Sequence, residues 1–146
     1  MKRNLFALFM AGCLITACNC TPKTTIFLPE TAKLAGTWEL NYIIEPKIAF
    51  KDLYPQQKPT ITFDAVNTMV SGNTSCNSFS GKFKVDGNTI DFTGPLAMTR
   101  KMCAEGADGE MVFTEMLPKV YTYTITNDTT LNFIMGDLPV MQFAKR

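Results

Sequence analysis

Hydrophobic and polar residues alternate along most of the chain after residue 34. Between residues 37 and 44, from Trp38 to Ile44, every second side chain is apolar, which is the period of a strand with one buried face. Similar short segments, separated by turn residues such as Asp86-Gly87-Asn88, predict further strands. These lie at residues 60–63, 68–71, 82–85, 89–92, 121–126, 131–135 and 140–143.

One segment, residues 108–117, has helical rather than strand spacing. Its apolar side chains fall on one side of a helix, namely Met111, Val112, Phe113, Met116 and Leu117. Asp108 is the predicted N-terminal cap, and Pro118 ends the helix because the residue before a proline disfavours helical geometry. The predicted fold class is mainly β (α+β), an antiparallel meander of about eight strands curled into a barrel or sandwich with one packed helix.

The first residues of the chain predict export. Lys2 and Arg3 precede an uncharged apolar run at residues 5–15. This run is too short to span a bilayer as a helix but fits a secretory signal. The predicted signal peptide covers residues 1–17.

The signal ends at Ala17 and Cys18, a sequence that resembles the lipobox of bacterial lipoproteins. We therefore predict cleavage before Cys18 and acylation of this cysteine, which anchors the chain to a membrane. The resemblance favours the outer membrane of the cell envelope, since residue 19 is Asn19 and not the aspartate that retains such lipoproteins in the inner membrane. Ordinary cleavage near Ala17 and a lipobox at Cys13 are the alternatives.

Composition predicts one globular domain, at residues 34–146, joined to the lipid by a proline-containing tether at residues 18–33. The chain has 146 residues, a formal charge of +1 and no histidine. The low net charge argues against nucleic-acid binding, and the lack of histidine excludes Ser-His-Asp and Cys-His catalytic systems and histidine-containing zinc sites. We predict no catalytic residue, no metal site and no cofactor.

Two segments carry a family resemblance. They read GNTSCNSFSG at residues 72–81 and LAMTRKMCA at residues 96–104, and looser similarity extends from LAGTW at residues 34–38 to the final strands. Both blocks resemble the signature of the META domain family, which includes the HslJ-like bacterial lipoproteins. The resemblance implies a cracked β-barrel. Ser75 departs from the family pattern, since many members have glycine directly before the cysteine, and this departure concerns the local backbone geometry.

Cys76 and Cys103, one in each block, are the only cysteines inside the predicted domain. Export places them where disulfides persist, so we predict a bridge that stabilises the domain by roughly 3–4 kcal/mol. Two buried thiols, or a redox or metal-binding role, are the alternatives. The pair lacks CxxC spacing, which argues against redox catalysis. Cys20 lies in the tether and is predicted to be a flexible free thiol or to form an adventitious bond.

Asn77, Gly81 and Thr99 also lie in the two blocks, and we assign each a structural task. Asn77 can close a tight turn, Gly81 permits close approach of another segment, and Thr99 can satisfy a loop amide.

Other candidate ligands receive structural interpretations. The methionines beyond the signal peptide are soft donors for copper, but their spacing favours core filling. Asp86, Asn88 and Asp91 are interpreted as turn residues rather than a calcium loop. The acidic residues in and near the helix are predicted to face solvent, namely Glu105, Asp108, Glu110 and Glu115.

These observations favour a non-enzymatic envelope lipoprotein that binds another protein or supports the envelope under stress, the stress role being what the family resemblance implies. A carrier of a lipid or other apolar ligand inside the barrel is the first alternative, suggested by aromatic residues such as Phe63, Phe83, Tyr121 and Tyr123. A thiol–disulfide oxidoreductase that uses the cysteine pair is the second.

Overall fold

The structure, a computed structural model, describes residues 30–44, 47–92, 94–103 and 105–146. The predicted signal peptide and most of the predicted tether, including the lipidation site Cys18 and the neighbouring Cys20, lie outside these residues.

One antiparallel sheet of ten strands dominates the described chain. Its strands are β1 Gly36–Ile43, β2 Thr60–Asp64, β3 Met69–Asn73, β4 Ser78–Lys82, β5 Lys84–Asp86, β6 Thr89–Asp91, β7 Ala97–Met98, β8 Thr122–Thr126, β9 Thr130–Met135 and β10 Leu138–Lys145. The described helices are α1 Glu30–Leu34, α2 Phe50–Leu53 and α3 Ala107–Met116, the last followed by a 3-10 turn at Leu117–Lys119.

The sheet curls into a half-barrel. Its strand order is β5-β6-β8-β9-β10-β1-β2-β3-β4-β7, so β4 and β5 belong to opposite flanks. Only Phe83 separates these two strands in the chain, and the two flanks therefore meet at this residue. Beyond it they do not pair with each other, which leaves the barrel open along one side. The predicted mainly β class with a curled antiparallel sheet and a packed helix is confirmed.

Aromatic side chains fill the interior of the half-barrel. A series of ring contacts runs from Phe83 through Phe63, Phe92 and Phe133 to Phe143, with centroid separations of 5.0, 6.2, 5.5 and 5.2 Å. All five side chains are buried. Burial of one such side chain contributes about 1.5–3 kcal/mol, so this series forms a large part of the hydrophobic core.

Two strands of the sheet, β4 and β7, are absent from the sequence prediction. In β4 only Phe79 points a large apolar side chain inward, so no alternation marks the strand. Its ring lies opposite Gly72 of β3, where a Cβ would lie 2.8 Å from the ring. Gly81 is similar, because a Cβ there would overlap Leu96. At both glycines a neighbouring side chain occupies the space that a Cβ would need. This is the close approach predicted for Gly81.

Helix α1, Glu30–Leu34, overlaps the end of the predicted tether at residues 18–33. Leu34 is fully buried, and its carbonyl oxygen accepts a hydrogen bond of 2.7 Å from Nε1 of Trp38. Because Trp38 is also fully buried, this bond ties the start of the domain to the core.

Helix α3 covers one end of the barrel, although its contact face differs from the prediction. Gly109, Phe113 and Leu117 are buried, which places positions four residues apart on the inward face of the helix. Met111 is 52% exposed instead of buried. Asp108 is not the cap either, since the helix follows Gly106, whose φ of 82° lets the backbone turn directly into Ala107.

Helix α3 packs closely against the segment that ends α2. A Cβ at Gly109 would overlap the carbonyl oxygen of Leu53 and approach the ring of Tyr54 to 2.6 Å. The hydroxyl of Tyr54 donates a hydrogen bond of 3.0 Å to the carbonyl oxygen of Gly109. Burial of this hydroxyl raises its pKa, so it remains a neutral donor at physiological pH.

We expect Gly109→Ala to destabilise the domain by about 1–3 kcal/mol, because the new methyl group overpacks the contact with Leu53 and Tyr54. In an exposed helix the same change stabilises by about 1 kcal/mol, so the predicted sign is opposite to that of helix propensity. Urea unfolding of both proteins measures the difference.

The matched control is Gly94→Ala, because a Cβ at Gly94 meets no atom within 4 Å. This control variant should unfold at the midpoint of the parent or slightly above it. Equal stability of the two variants would contradict the proposed contact of α3.

Candidate functional site

Three segments meet at the end of the barrel that α3 covers. They are the turn between β3 and β4 at residues 74–77, the segment at residues 99–103 that follows β7, and the first turn of α3. None of them is continuous with another in the sequence, so side chains must hold them together.

The turn between β3 and β4 is closed by Thr74, which is fully buried. Its hydroxyl accepts a hydrogen bond of 3.1 Å from the backbone amide of Asn77 and donates one of 3.0 Å to the Asn77 carbonyl oxygen. The backbone amide of Thr74 donates to the same carbonyl at 2.7 Å. Thr74 therefore performs the local turn task that the sequence analysis assigns to Asn77, and a single threonine in this segment gives no sequence signal for it.

The side chain of Asn77 is 4% exposed and reaches beyond its own turn. Its Oδ1 atom accepts hydrogen bonds from the Thr99 hydroxyl at 2.8 Å and from the backbone amide of Lys101 at 2.7 Å. Its Nδ2 atom donates to both carboxylate oxygens of Glu110, at 3.0 and 2.9 Å. We call Asn77, Thr99, Lys101 and Glu110 the Asn77 network. A structural role is thus supported, but it is tertiary rather than local.

Thr99 has the role predicted for it. Its hydroxyl accepts a hydrogen bond of 3.0 Å from the backbone amide of Ser78 and donates to Asn77. The backbone amide of Thr99 donates to the Ser78 carbonyl oxygen at 3.0 Å, which extends the pairing of β4 with β7. Thr99 therefore joins the edge of the sheet to the network.

Contrary to the prediction that it faces solvent, Glu110 points into the Asn77 network. Its side chain is half-buried, and both oxygens accept hydrogen bonds from Asn77. Periodicity misplaced it because the helix face that packs on the barrel is centred on Gly109 and Phe113, and Glu110 borders this face. Glu105 and Asp108 are exposed, as is Glu115 near the end of the helix.

Cys76 and Cys103 form a disulfide between the turn and the segment at residues 99–103, with their Cα atoms 6.0 Å apart. Both side chains are half-buried. The Sγ atom of Cys103 lies 3.2 Å from Oε2 of Glu110, so the bridge contacts the Asn77 network directly. Covalent and hydrogen bonds therefore join the same segments.

Comparisons with known proteins identify the family. The META domain model matches residues 32–146. The chain belongs to the META domain family. No curated protein matches the chain.

Solved structures share the fold of this META domain at low sequence identity. A protein from Burkholderia xenovorans solved by NMR has a TM-score of 0.60 and 16% identity, with 86% of this chain and 96% of that one covered. Another protein solved by NMR has a TM-score of 0.57 and 24% identity, with 81% of this chain and 96% of that one covered. A DUF4847 family protein from Bacteroides vulgatus ATCC 8482 has a TM-score of 0.55 and 17% identity, with 77% of this chain and 94% of that one covered.

A cleft opens beside the disulfide of the META domain. We call it the rim cleft; its volume is about 580 Å³. Its apolar wall contains Leu96, Met98 and Met102, and its charged wall contains Arg100 and Lys101. The Asn77 network and Cys103 form its floor, so the backbone beneath the cleft is held from several sides.

A second, smaller cleft of about 250 Å³ lies on the other side of Leu96 and Met98, and these two residues line both spaces. We call it the apolar cleft. Its remaining wall includes Phe79, Phe92 and Phe113, which belong to the core. The apolar cleft is thus lined by α3, by β4 and β7, and by the segment between β6 and β7.

The methionines of the META domain do not fill the core as predicted. Met141 is fully buried and Met116 is half-buried. The others are exposed large side chains, namely Met69, Met98, Met102, Met111 and Met135. Met69, Met111 and Met135 lie on the outer faces of their strands or helix, whereas Met98 and Met102 lie in and after the short edge strand β7.

Of the three residues interpreted as turn residues, only Asn88 lies in the turn, because Asp86 and Asp91 are the last residues of strands β5 and β6. The hydroxyl of Thr89 donates to the Asp86 carbonyl oxygen at 2.7 Å.

Among the described residues, no helix combines the length and apolar character needed to cross a bilayer.

Ser75, the residue before Cys76, has a backbone conformation that suits glycine. Ser75 has a φ of 94°, in the region that side chains with a Cβ avoid. Its amide donates a hydrogen bond of 2.6 Å to Oδ1 of Asn73, which holds this conformation. Serine is therefore tolerated here but strained.

We expect Ser75→Gly to stabilise the META domain by about 0.5–1 kcal/mol, because glycine adopts this φ without steric cost. The control is Ser80→Gly, at an exposed position of β4 with ordinary strand geometry, which should destabilise by a similar amount. Urea unfolding of the two variants tests the opposite signs, and destabilisation by Ser75→Gly would contradict the strain.

Cys76→Ser and Cys103→Ser should each lower the free energy of unfolding by about 2–4 kcal/mol. The double variant should lose no more than either single one, because both substitutions break the same bond. Urea midpoints without reductant measure this, and additive losses would show that the cysteines act separately.

Proposed function

We propose that this META domain is a non-enzymatic, lipid-anchored accessory module of the bacterial cell envelope that binds a protein partner at the rim cleft. Family membership and the fold provide the scaffold. The proposal adds the anchor at Cys18, the location and the partner, and it follows the family resemblance for a role in envelope stress.

The observation that carries the proposal is the exposure of apolar side chains on a rigid rim. Met102 is fully exposed and Met98 is 37% exposed, although both flank a cleft whose backbone is held by Asn77 and by the disulfide. Methionine is frequent at binding surfaces because its flexible thioether adapts to different partners. A backbone that is already ordered loses little conformational entropy on binding, which favours association.

The charge of the cleft indicates the chemistry of the partner. Arg100 and Lys101 are exposed, and neither forms an ion pair with another described residue. Beside them, β7 has one edge that pairs with no described strand. An extended segment that places an apolar side chain in the apolar cleft and carboxylates near these cations would match both features, and strand addition would supply backbone hydrogen bonds.

The interior favours partner binding over carriage of an apolar ligand. Phenylalanine rings occupy the centre of the half-barrel, and the apolar cleft of about 250 Å³ lies at its rim. Pockets that bury a drug-sized ligand usually have about 300–1,000 Å³. The apolar cleft is therefore better suited to one or two side chains of a partner than to a whole lipid.

The disulfide supports a non-catalytic interpretation of the cysteines. Cys103 contacts the Glu110 carboxylate, and a negative charge beside a sulfur opposes formation of the thiolate that disulfide exchange requires. We therefore favour a structural bridge over a thiol–disulfide oxidoreductase.

Site-specific photo-crosslinking in intact cells tests the proposal. A photoreactive amino acid at Met102 should give a discrete adduct with an envelope protein, whereas the same probe at Val66 should not. Val66 is the matched control, because it is 91% exposed and apolar but lies in the turn between β2 and β3.

Two further variants make the test specific. Arg100→Glu combined with Lys101→Glu should abolish the Met102 adduct, while the exposed pair Lys82→Glu and Lys84→Glu should preserve it. Cys18→Ser should release the protein from the membrane fraction. Equal adducts from Met102 and Val66, or an adduct that survives reversal of Arg100 and Lys101, would contradict the rim cleft as the binding surface.

A further inference from the structure

Three potential metal ligands converge beside the rim cleft, and two of them, Cys103 and Glu110, line it. The Sγ atoms of Cys76 and Cys103 and one carboxylate oxygen of Glu110 all lie within 4.8 Å of one another. All three side chains are half-buried, so the cluster is neither sealed in the core nor freely solvated. The protein-binding proposal uses none of these atoms as ligands, and this inference is independent of it.

We propose that reduction of the Cys76–Cys103 bridge converts this cluster into a binding site for a zinc-type divalent cation. The ligands are the two thiolates and the Glu110 carboxylate, and the fourth coordination position faces the rim cleft. The bridge therefore acts as a gate: the oxidised domain has no thiolate ligand at this point, and the reduced domain has two.

The positions of the atoms require little rearrangement. With bond lengths near 2.3 Å to sulfur and 2.0–2.2 Å to oxygen, tetrahedral zinc places neighbouring sulfur and oxygen ligands roughly 3.5 Å apart and two sulfurs roughly 3.8 Å apart. Cys103 Sγ and Glu110 Oε2 are already 3.2 Å apart. The cysteine Cα atoms are 6.0 Å apart, so side-chain rotation can separate the sulfurs without moving the backbone.

Asn77 supports Glu110 as a ligand. Its Nδ2 atom donates to Oε1 at 3.0 Å and to Oε2 at 2.9 Å, so Oε2 can bind a cation while Oε1 keeps its hydrogen bond. Hydrogen bonds of this kind orient ligand carboxylates and strengthen metal binding. The Oδ1 atom of Asn77 is fixed by the amide of Lys101 and the hydroxyl of Thr99.

The same network preserves the geometry after reduction. The hydrogen bonds from Asn77 join the turn, the segment at residues 99–103 and α3 without involving the sulfur–sulfur bond. Cys103 therefore stays near Cys76 and Glu110 once the covalent link is broken. A bridge without such a network would release the segment and scatter the ligands.

Electrons and protons balance with a dithiol reductant. The reductant transfers two electrons and two protons to the sulfur–sulfur bond, becomes a disulfide itself and leaves Cys76 and Cys103 as thiols. Binding of the divalent cation then releases the two thiol protons. Two thiolates, one carboxylate and one divalent cation together carry a net charge of −1. The positive charges of the nearby Arg100 and Lys101 side chains compensate this negative charge.

Metal titration of the oxidised and reduced full-length chain tests the proposal. Cys13, Cys18 and Cys20 are replaced by serine, so that Cys76 and Cys103 are the only cysteines. Co²⁺ added to the reduced chain should give a thiolate-to-metal charge-transfer band and the strong visible bands of tetrahedral cobalt, and one equivalent of Zn²⁺ should remove them. The oxidised chain should give neither signal.

Glu110→Gln isolates the carboxylate, because glutamine can still accept a hydrogen bond from Asn77. This variant should weaken Zn²⁺ binding to the reduced chain at least about tenfold. Glu115→Gln, an exposed position on the same helix, is the matched control and should leave affinity unchanged.

Circular dichroism before and after reduction controls for folding. Absence of the cobalt bands in the folded reduced chain would overturn the proposal, as would equal Zn²⁺ affinity of the Glu110→Gln variant and the parent. Loss of the fold on reduction that Zn²⁺ does not restore would overturn it as well.

Discussion

The side-chain amide of Asn77 is the interaction on which the arrangement of this META domain depends. A half-barrel with an open side needs something to close its end, and here the closing elements are a turn, a loop segment and a helix. One buried amide, carried by the turn, forms hydrogen bonds to both the loop segment and the helix. Because buried polar groups that lack partners are costly, the amide and the groups around it specify one arrangement of these segments.

The disulfide and the Asn77 network have different physical roles at the same place. The bridge lowers the conformational entropy of the unfolded chain, since it closes a long loop, whereas the hydrogen bonds select the geometry of the folded state. The cost of this arrangement appears at Ser75, where the turn that leads into Cys76 requires a φ of 94°. The strain is local and is tolerated because the side chains of Asn73 and Thr74 accept hydrogen bonds from the backbone amides of Ser75 and Asn77.

The filled interior and the rigid rim together determine what kind of function the domain can support. Phenylalanine rings occupy the space that a carrier of the same fold would leave for a ligand. Apolar and cationic side chains instead project from the segment after β7, directly above the bridge and the Glu110 carboxylate. The surface proposed for partner binding and the proposed cation site therefore lie in one small region of the domain.

The sequence by itself determined the antiparallel β class, most of the strands and the position of the main helix. Alternation at residues 37–40 and Pro118 after the helix are local signals, because they arise from side-chain direction along a strand and from backbone sterics. The alternation predicted to continue to residue 44 is wrong, because an irregularity between Leu40 and Tyr42 leaves Tyr42 exposed and buries Ile43. The two blocks around Cys76 and Cys103 were likewise visible, as was their resemblance to the META domain family.

Only the tertiary structure decided the identity of the site. Strand β4 gave no pattern because its apolar contacts come from Leu96 and from the Phe79 ring over Gly72. Glu110 and the exposed methionines were assigned to the wrong faces, because periodicity gives the spacing of a face and not its direction. The meeting of Asn77 with Glu110, which are 33 residues apart, depends on how the barrel curls, and no local rule encodes that distance.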